Sequence, residues 1–158
     1  MGCGKTTVGR VLAAQLRVPF IDMDEYIEKK NRMTVSEMFS KYSESYFRAL
    51  EHCACWELSK LDGAVVSCGG GTVINPKNAE VIKKNSELVF IDTPLDLIRT
   101  RLEGDTTRPL LQRPDREQAM KELFEKRHPI YRRAATLVID GSAAPETIAR
   151  VISSRVKS

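Results

Sequence analysis

The sequence predicts an α/β domain of three layers, a mostly parallel sheet covered by helices on both faces. Short apolar runs alternate with helical patterns along the chain, and such alternation feeds right-handed crossovers into a parallel sheet. Two runs, Pro19-Phe20-Ile21-Asp22 and Leu88-Val89-Phe90-Ile91-Asp92, end in an acid, and a third, Ala64-Val65-Val66-Ser67, leads into Gly69-Gly70-Gly71. Open α/β sheets bind ligands at the carboxyl ends of their strands, where all three features fall. The 158 residues contain no repeat or linker, so a single domain over 1–158 is expected, burying about two-thirds of its unfolded surface.

Val8, Val11, Leu12 and Leu16 recur at helical spacing, which predicts an amphipathic helix over Lys5 to Leu16. Pro19 to Asp22 reads as a short buried strand. Thr34-Val35-Ser36-Glu37 has capping-box spacing and opens a helix. Phe47, Leu50, Ala54, Leu58 and Leu61 form the core stripe of a longer one. After the Ala64 to Ser67 strand, Pro76 suits the first position of a helix running to about Asn85. Leu88 to Asp92 is the clearest strand, and Pro94 opens a helix to about Leu102. A polar stretch from Glu103 to Pro114 precedes a charged helix ending near Arg133. Thr136 to Ile139 is the last strand and Pro145 to Val156 the last helix.

Apolar residues make up 42% and charged residues 29%, ordinary values for a globular protein. No apolar run approaches the ~20 residues that span a bilayer, and Met1 leads directly into Gly2-Cys3-Gly4-Lys5 without a signal-peptide pattern. A cytoplasmic location with no membrane partner is therefore expected. The net charge of +4 arises between Arg99 and Arg133, where ten Lys/Arg face six Asp/Glu. So local a surplus suits a small anionic ligand and argues against nucleic acid, which needs a broader basic patch or a helix-turn-helix signature. The four cysteines, at 3, 53, 55 and 68, show neither C-x-x-C nor zinc spacing with His52 and His128 and read as reduced packing thiols.

Gly2-Cys3-Gly4-Lys5-Thr6-Thr7 matches the second half of the phosphate-loop pattern G-x-x-x-x-G-K-S/T. Glycines let backbone N–H groups curl around phosphates, and the following helix adds its dipole. Lys5 is placed to reach the β- and γ-phosphates of a nucleotide, and Thr6 offers a hydroxyl to Mg²⁺. The pattern's first glycine and the strand that normally carries it would lie before Met1. An N-terminally truncated chain is thus expected, lacking a strand of roughly five or six residues, with unpaired backbone groups on the neighbouring strands and uncertain activity.

Further motifs follow in order: Phe20-Ile21-Asp22-Met23-Asp24, Phe47-Arg48-x-x-Glu51, Gly69-Gly70-Gly71, Arg108-Pro109-Leu110-Leu111 and Tyr131-Arg132-Arg133. Each is weak alone: two acids can be solvated, and an R-x-x-E pair can be a surface salt bridge. Together, from Gly2 to Val156, the set resembles the shikimate kinase family. That resemblance implies a P-loop kinase fold with a lid at about 103–115. It also implies transfer of the ATP γ-phosphate to the 3-hydroxyl of shikimate, on the route to chorismate and aromatic amino acids. By the same resemblance Gly2, Cys3, Gly4, Lys5, Thr6 and Thr7 bind ATP, Arg101 packs near adenine, and Arg108 reaches the transferring phosphate from the lid. Thr6 and Asp22 serve Mg²⁺, the latter through water. Asp24 binds shikimate hydroxyls, as base or as orienting group. Arg48 and Arg132 clamp the shikimate carboxylate, and Gly69, Gly70 and Gly71 admit the substrate against the backbone. The resemblance favours a monomer. The rival readings are a gluconate or nucleoside monophosphate kinase of the same fold, and a non-catalytic relative that binds nucleotide or protein.

Overall fold

The computed structural model describes residues 2–106 and 109–156. Its regular elements are α1 (Lys5–Leu16), β1 (Phe20–Asp22), α2 (Met23–Asn31), α3 (Val35–Lys41), α4 (Glu44–Leu58), β2 (Val65–Ser67), α5 (Pro76–Lys83), β3 (Val89–Asp92), α6 (Leu95–Leu102), α7 (Arg116–Ala134), β4 (Leu137–Asp140) and α8 (Pro145–Val156). Short 3₁₀ turns occupy Thr72–Ile74 and Pro109–Gln112. Helices and strands alternate as the apolar pattern predicts.

All strand pairing is parallel, yet the strands form two pairs and not one sheet. Strand β1 pairs with β2 from Phe20–Val65 to Asp22–Ser67. Strand β3 pairs with β4 from Val89–Leu137 to Asp92–Asp140. Between the pairs lies a cavity of about 410 Å³, lined by Leu12, Leu58, Val65, Val66, Val89 and Ile91 among others. The edges of β2 and β3 away from their partners have no strand partner among the described residues.

Packing is divided likewise. Val8 and Leu12 of α1 meet Ile91, Ile139 and the Ile148, Ala149, Ile152 face of α8. Under the other strand pair, Met23, Ile27, Met38, Phe47, Ala54, Cys55 and Leu58 form a second cluster. A third, smaller one joins Ile98 and Leu102 to Leu111 and Met120. Each fully buried side chain of this kind contributes about 1.5–3 kcal/mol.

Two local features differ from the sequence reading. Helix α2 begins immediately after β1 because the Asp22 carboxylate both ends the strand and accepts the Glu25 N–H at 3.1 Å as an N-cap. Asp24 therefore lies in the first turn of that helix. Leu61 is 49% exposed, since α4 stops at Leu58 and its stripe no longer faces the core. The thiols behave as expected: all four are free, with Cys55 buried and Cys53 exposed two residues away. The capping box forms, with Glu37 N–H donating to Thr34 Oγ1 at 3.1 Å and Thr34 N–H to Glu37 Oε2 at 2.7 Å.

Candidate active site

The phosphate loop is shaped by glycine. Gly2 and Gly4 have φ of 69° and 83°, the left-handed region that side chains disfavour. Gly4 is the N-cap of α1 and offers no side chain to the first-turn N–H groups. A helix start so arranged presents N–H donors and the positive dipole end to an anion. Lys5 and Thr6 follow in the first turn, half-buried, while Thr7 is exposed. The Cys3 carbonyl is held from behind by Arg101 Nη1 at 3.1 Å and Thr93 Oγ1 at 3.4 Å, and Arg101 Nη2 also reaches the Gly141 carbonyl at 3.2 Å. Arg101 thus braces the loop.

Opposite the loop, three acidic groups converge. Burial pushes the Asp24 carboxyl above its ordinary value; the neighbouring charges of Asp22 and Glu51 add to this, and Lys5 opposes it. Glu51 is only 1% exposed, so its pair with Arg48 is not the surface salt bridge that such spacing alone would also allow. Its Oε2 accepts Arg48 Nη1 at 2.9 Å and its Oε1 accepts Thr72 Oγ1 at 2.7 Å. Arg48 also touches Glu44 Oε1 through Nη2 at 3.3 Å.

The three glycines make this convergence possible. At Gly69 a β-carbon would stand 3.2 Å from Asp24 Oδ1 and 3.4 Å from Glu51 Oε1. At Gly71 it would lie 2.6 Å from Arg48 Cζ, far inside contact distance. Backbone and guanidinium are therefore in direct apposition, and alanine at 71 would displace Arg48.

The structure brings Arg127, and not Arg132, against the glycine loop. Arg132 is 61% exposed and pairs with Asp92 Oδ2 at 2.9 Å, alongside His128 Nε2 at 2.8 Å from Asp92 Oδ1. Arg127 is half-buried, with Nη1 3.1 Å from the place of a Gly70 β-carbon. Its charge acts on the hydroxyl of Tyr131, which donates to the Gly70 carbonyl. Burial raises the Tyr131 pKa, against the pull of Arg127. A four-residue spacing places Arg127 and Tyr131 on one face of α7, whereas Arg132 points elsewhere. That spacing was the available signal.

The site thus brings together Lys5, Asp24, Arg48, Glu51, Arg127, Tyr131 and the Gly69 to Gly71 backbone. Arg108 lies outside the described residues. For a divalent cation, the Thr6 hydroxyl and the Asp22 oxygen not committed to capping form a sparse oxygen set. Among the described residues no cluster of three or more His, Cys, Asp or Glu could hold a metal. Such a set fits Mg²⁺, which keeps several waters and binds through one or two carboxylates plus substrate phosphate. No helix among the described residues is long and apolar enough to cross a membrane.

Comparison with known proteins gives a consistent picture. The family profile described as "Shikimate kinase" matches residues 1–157. A shikimate kinase of Sulfurihydrogenibium sp. is 38% identical over 157 residues, covering 99% of this chain and 93% of the relative. One of Clostridium beijerinckii is 43% identical over 141 residues, 87% of this chain and 79% of the relative. The solved shikimate kinase from Acinetobacter baumannii in complex with shikimate superposes with a TM-score of 0.90 at 35% identity, covering 99% of this chain and 88% of that one.

Proposed function

The chain belongs to the shikimate kinase family, and from that membership we propose how its residues divide the work. It is an ATP-dependent kinase whose acceptor is the 3-hydroxyl of shikimate, and its product is 3-phosphoshikimate. The observation that carries the assignment of residues is the meeting of Arg48, Arg127 and the Gly70–Gly71 backbone beside Asp24. Two guanidinium groups against successive glycines suit a carboxylate, and an acid against the third glycine suits hydroxyls.

In this reading the Gly2 to Thr7 loop and Lys5 hold the triphosphate, with the Cys3 carbonyl braced by Arg101. On the family resemblance, Arg101 also packs near adenine. Thr6 and Asp22 would hold Mg²⁺, the latter through water; the ion supplies charge neutralisation on the phosphates. Arg48 and Arg127 fix the shikimate carboxylate, which orients the ring so that a hydroxyl faces Asp24. Asp24 accepts a hydrogen bond from that hydroxyl and aligns it for in-line attack. Its raised pKa lets it take the proton as the bond forms, although a loose phosphoryl transition state asks for little prior deprotonation. Lys5 stabilises charge on the transferring group. On the family resemblance, Arg108 in a lid at about 103–115 adds a further positive charge. The reading extends to a single-domain monomer working in the cytoplasm with ATP and shikimate as its partners.

A substrate panel tests it. With ATP and Mg²⁺, ADP release is expected with shikimate and not with gluconate or nucleoside monophosphates. Turnover of one of those in place of shikimate would reject the acceptor assignment.

A further inference from the structure

Beyond the groups that face the substrate, a hydrogen-bonded circuit runs through the protein behind Arg48. Glu51 Oε1 accepts from Thr72 Oγ1 at 2.7 Å, and the Thr72 carbonyl accepts from Asn78 Nδ2 at 2.8 Å. Asn78 Oδ1 then lies 2.6 Å from His52 Nδ1. His52 adjoins Glu51 in α4, so the circuit closes on the helix where it began. Glu51, Thr72 and Asn78 are 1%, 0% and 1% exposed. Because Asn78 Nδ2 is committed to a carbonyl, its Oδ1 must face the imidazole, and Nδ1 carries the ring proton.

We propose that Asn78 is a positioning residue for the shikimate carboxylate, setting Arg48 through Thr72 and Glu51. Arg48 and the Gly70–Gly71 backbone belong to different segments, α4 and the glycine loop. The circuit ties both to the N-terminal turn of α5, where Asn78 sits. Thr72 is central, since its carbonyl takes the Asn78 amide while its hydroxyl orients Glu51. Without that hydroxyl the Glu51 carboxylate has one fewer donor, in a place where Asp24 already crowds it with like charge. Its grip on Arg48 Nη1 would then loosen. A buried network of this kind fixes geometry only while every member is satisfied.

This inference rests on the reading of Arg48 as a carboxylate ligand, and the test separates the two. Steady-state kinetics of Asn78→Ala, Thr72→Val and Thr72→Ser are compared with the parent chain. Asn78→Ala and Thr72→Val are expected to raise KM for shikimate about tenfold, the effect of loosening one hydrogen bond to a charged group. KM for ATP should stay within about twofold in both. Thr72→Ser keeps the hydroxyl and should restore the parent value. A fall in active fraction with KM for shikimate unchanged would overturn the positioning role and leave Asn78 a packing residue. A second readout needs no substrate: the Arg48 guanidinium proton resonances of the ligand-free protein. Restricted rotation of Nη1 is expected in the parent and Thr72→Ser, and averaging in Asn78→Ala. Identical resonances in all of these would overturn the proposal even in a chain that did not turn over shikimate. Absence of shikimate turnover in the parent, with the resonance differences present, would reject only the substrate reading.

Discussion

Arg127 and Tyr131 stand one helical turn apart on α7 and meet at Gly70, where a β-carbon would lie 3.1 Å from Arg127 Nη1 and 3.6 Å from the tyrosine hydroxyl, which donates to the Gly70 carbonyl. Helix α7 is thereby fastened to the glycine loop that follows β2. An arginine is left facing the loop at Gly70, next to Arg48 at Gly71.

Arg127→Ala should accordingly lower kcat/KM for shikimate by roughly 10–100-fold, the loss of about 1.5–3 kcal/mol for a hydrogen bond to a charged group. Arg132→Ala should stay within about threefold, because an exposed ion pair with Asp92 contributes at most ~1 kcal/mol. Steady-state kinetics on the two variants checks the ordering.

Gly71→Ala is expected to fold but to bind shikimate poorly. Its β-carbon would lie 2.6 Å from Arg48 Cζ, so the guanidinium must leave its place against the loop. An increase in KM of roughly tenfold or more is expected, about 1.4 kcal/mol, with a circular dichroism spectrum like the parent's. Calorimetric titration with shikimate measures the loss directly.

Asp24→Asn should separate stability from activity. The folded protein holds the Asp24 carboxyl above its ordinary value of 3.8, chiefly by burial. The folded state therefore binds that proton more tightly than the unfolded chain. The contribution is fully present below the unfolded pKa and is lost as pH rises through the folded one. At neutral pH the ionised Asp24 is a liability that asparagine removes. The variant should show a higher Tm than the parent at pH 7, no such gain near pH 3.5, and little kinase activity. Thermal melts across that range decide the sign.

Alkylation should report the division of the cysteines. Burial pushes the Cys55 and Cys68 thiols up to about 12, so neither has an appreciable thiolate population at pH 8. Exposed Cys53 should take up iodoacetamide first, half-buried Cys68 more slowly, and buried Cys55 only on unfolding. Mass spectrometry of the labelled peptides checks this.

Much of the site was legible because its motifs are local. The glycine-framed Lys5, the Asp22–Asp24 pair, the Arg48–Glu51 spacing and the three glycines each lie within a few residues of sequence, and the structure brings them to one end of the strands. Helix α2 was hidden because Asp22 serves as strand end and helix cap at once. Met23 and Ile27, both buried at a spacing of four, were the pattern that would have shown it. Arg127 was missed because the reading followed the contiguous Tyr131-Arg132-Arg133 run, when a helix presents neighbours at i and i+4. The burial of Glu51 and its ties to Thr72 and Asn78 depend on three segments meeting, which spacing along the chain cannot express. The division of the sheet into two pairs is likewise a matter of which edges meet.

The central claim is phosphoryl transfer from ATP to shikimate on Lys5 and Asp24. Its most direct test is the initial rate of ADP release with ATP and Mg²⁺, with and without shikimate, for the parent chain and Lys5→Met. Shikimate should raise the parent rate many-fold and leave Lys5→Met near background. An equal rate with and without shikimate, or a shikimate-dependent rate that survives Lys5→Met, would contradict the account.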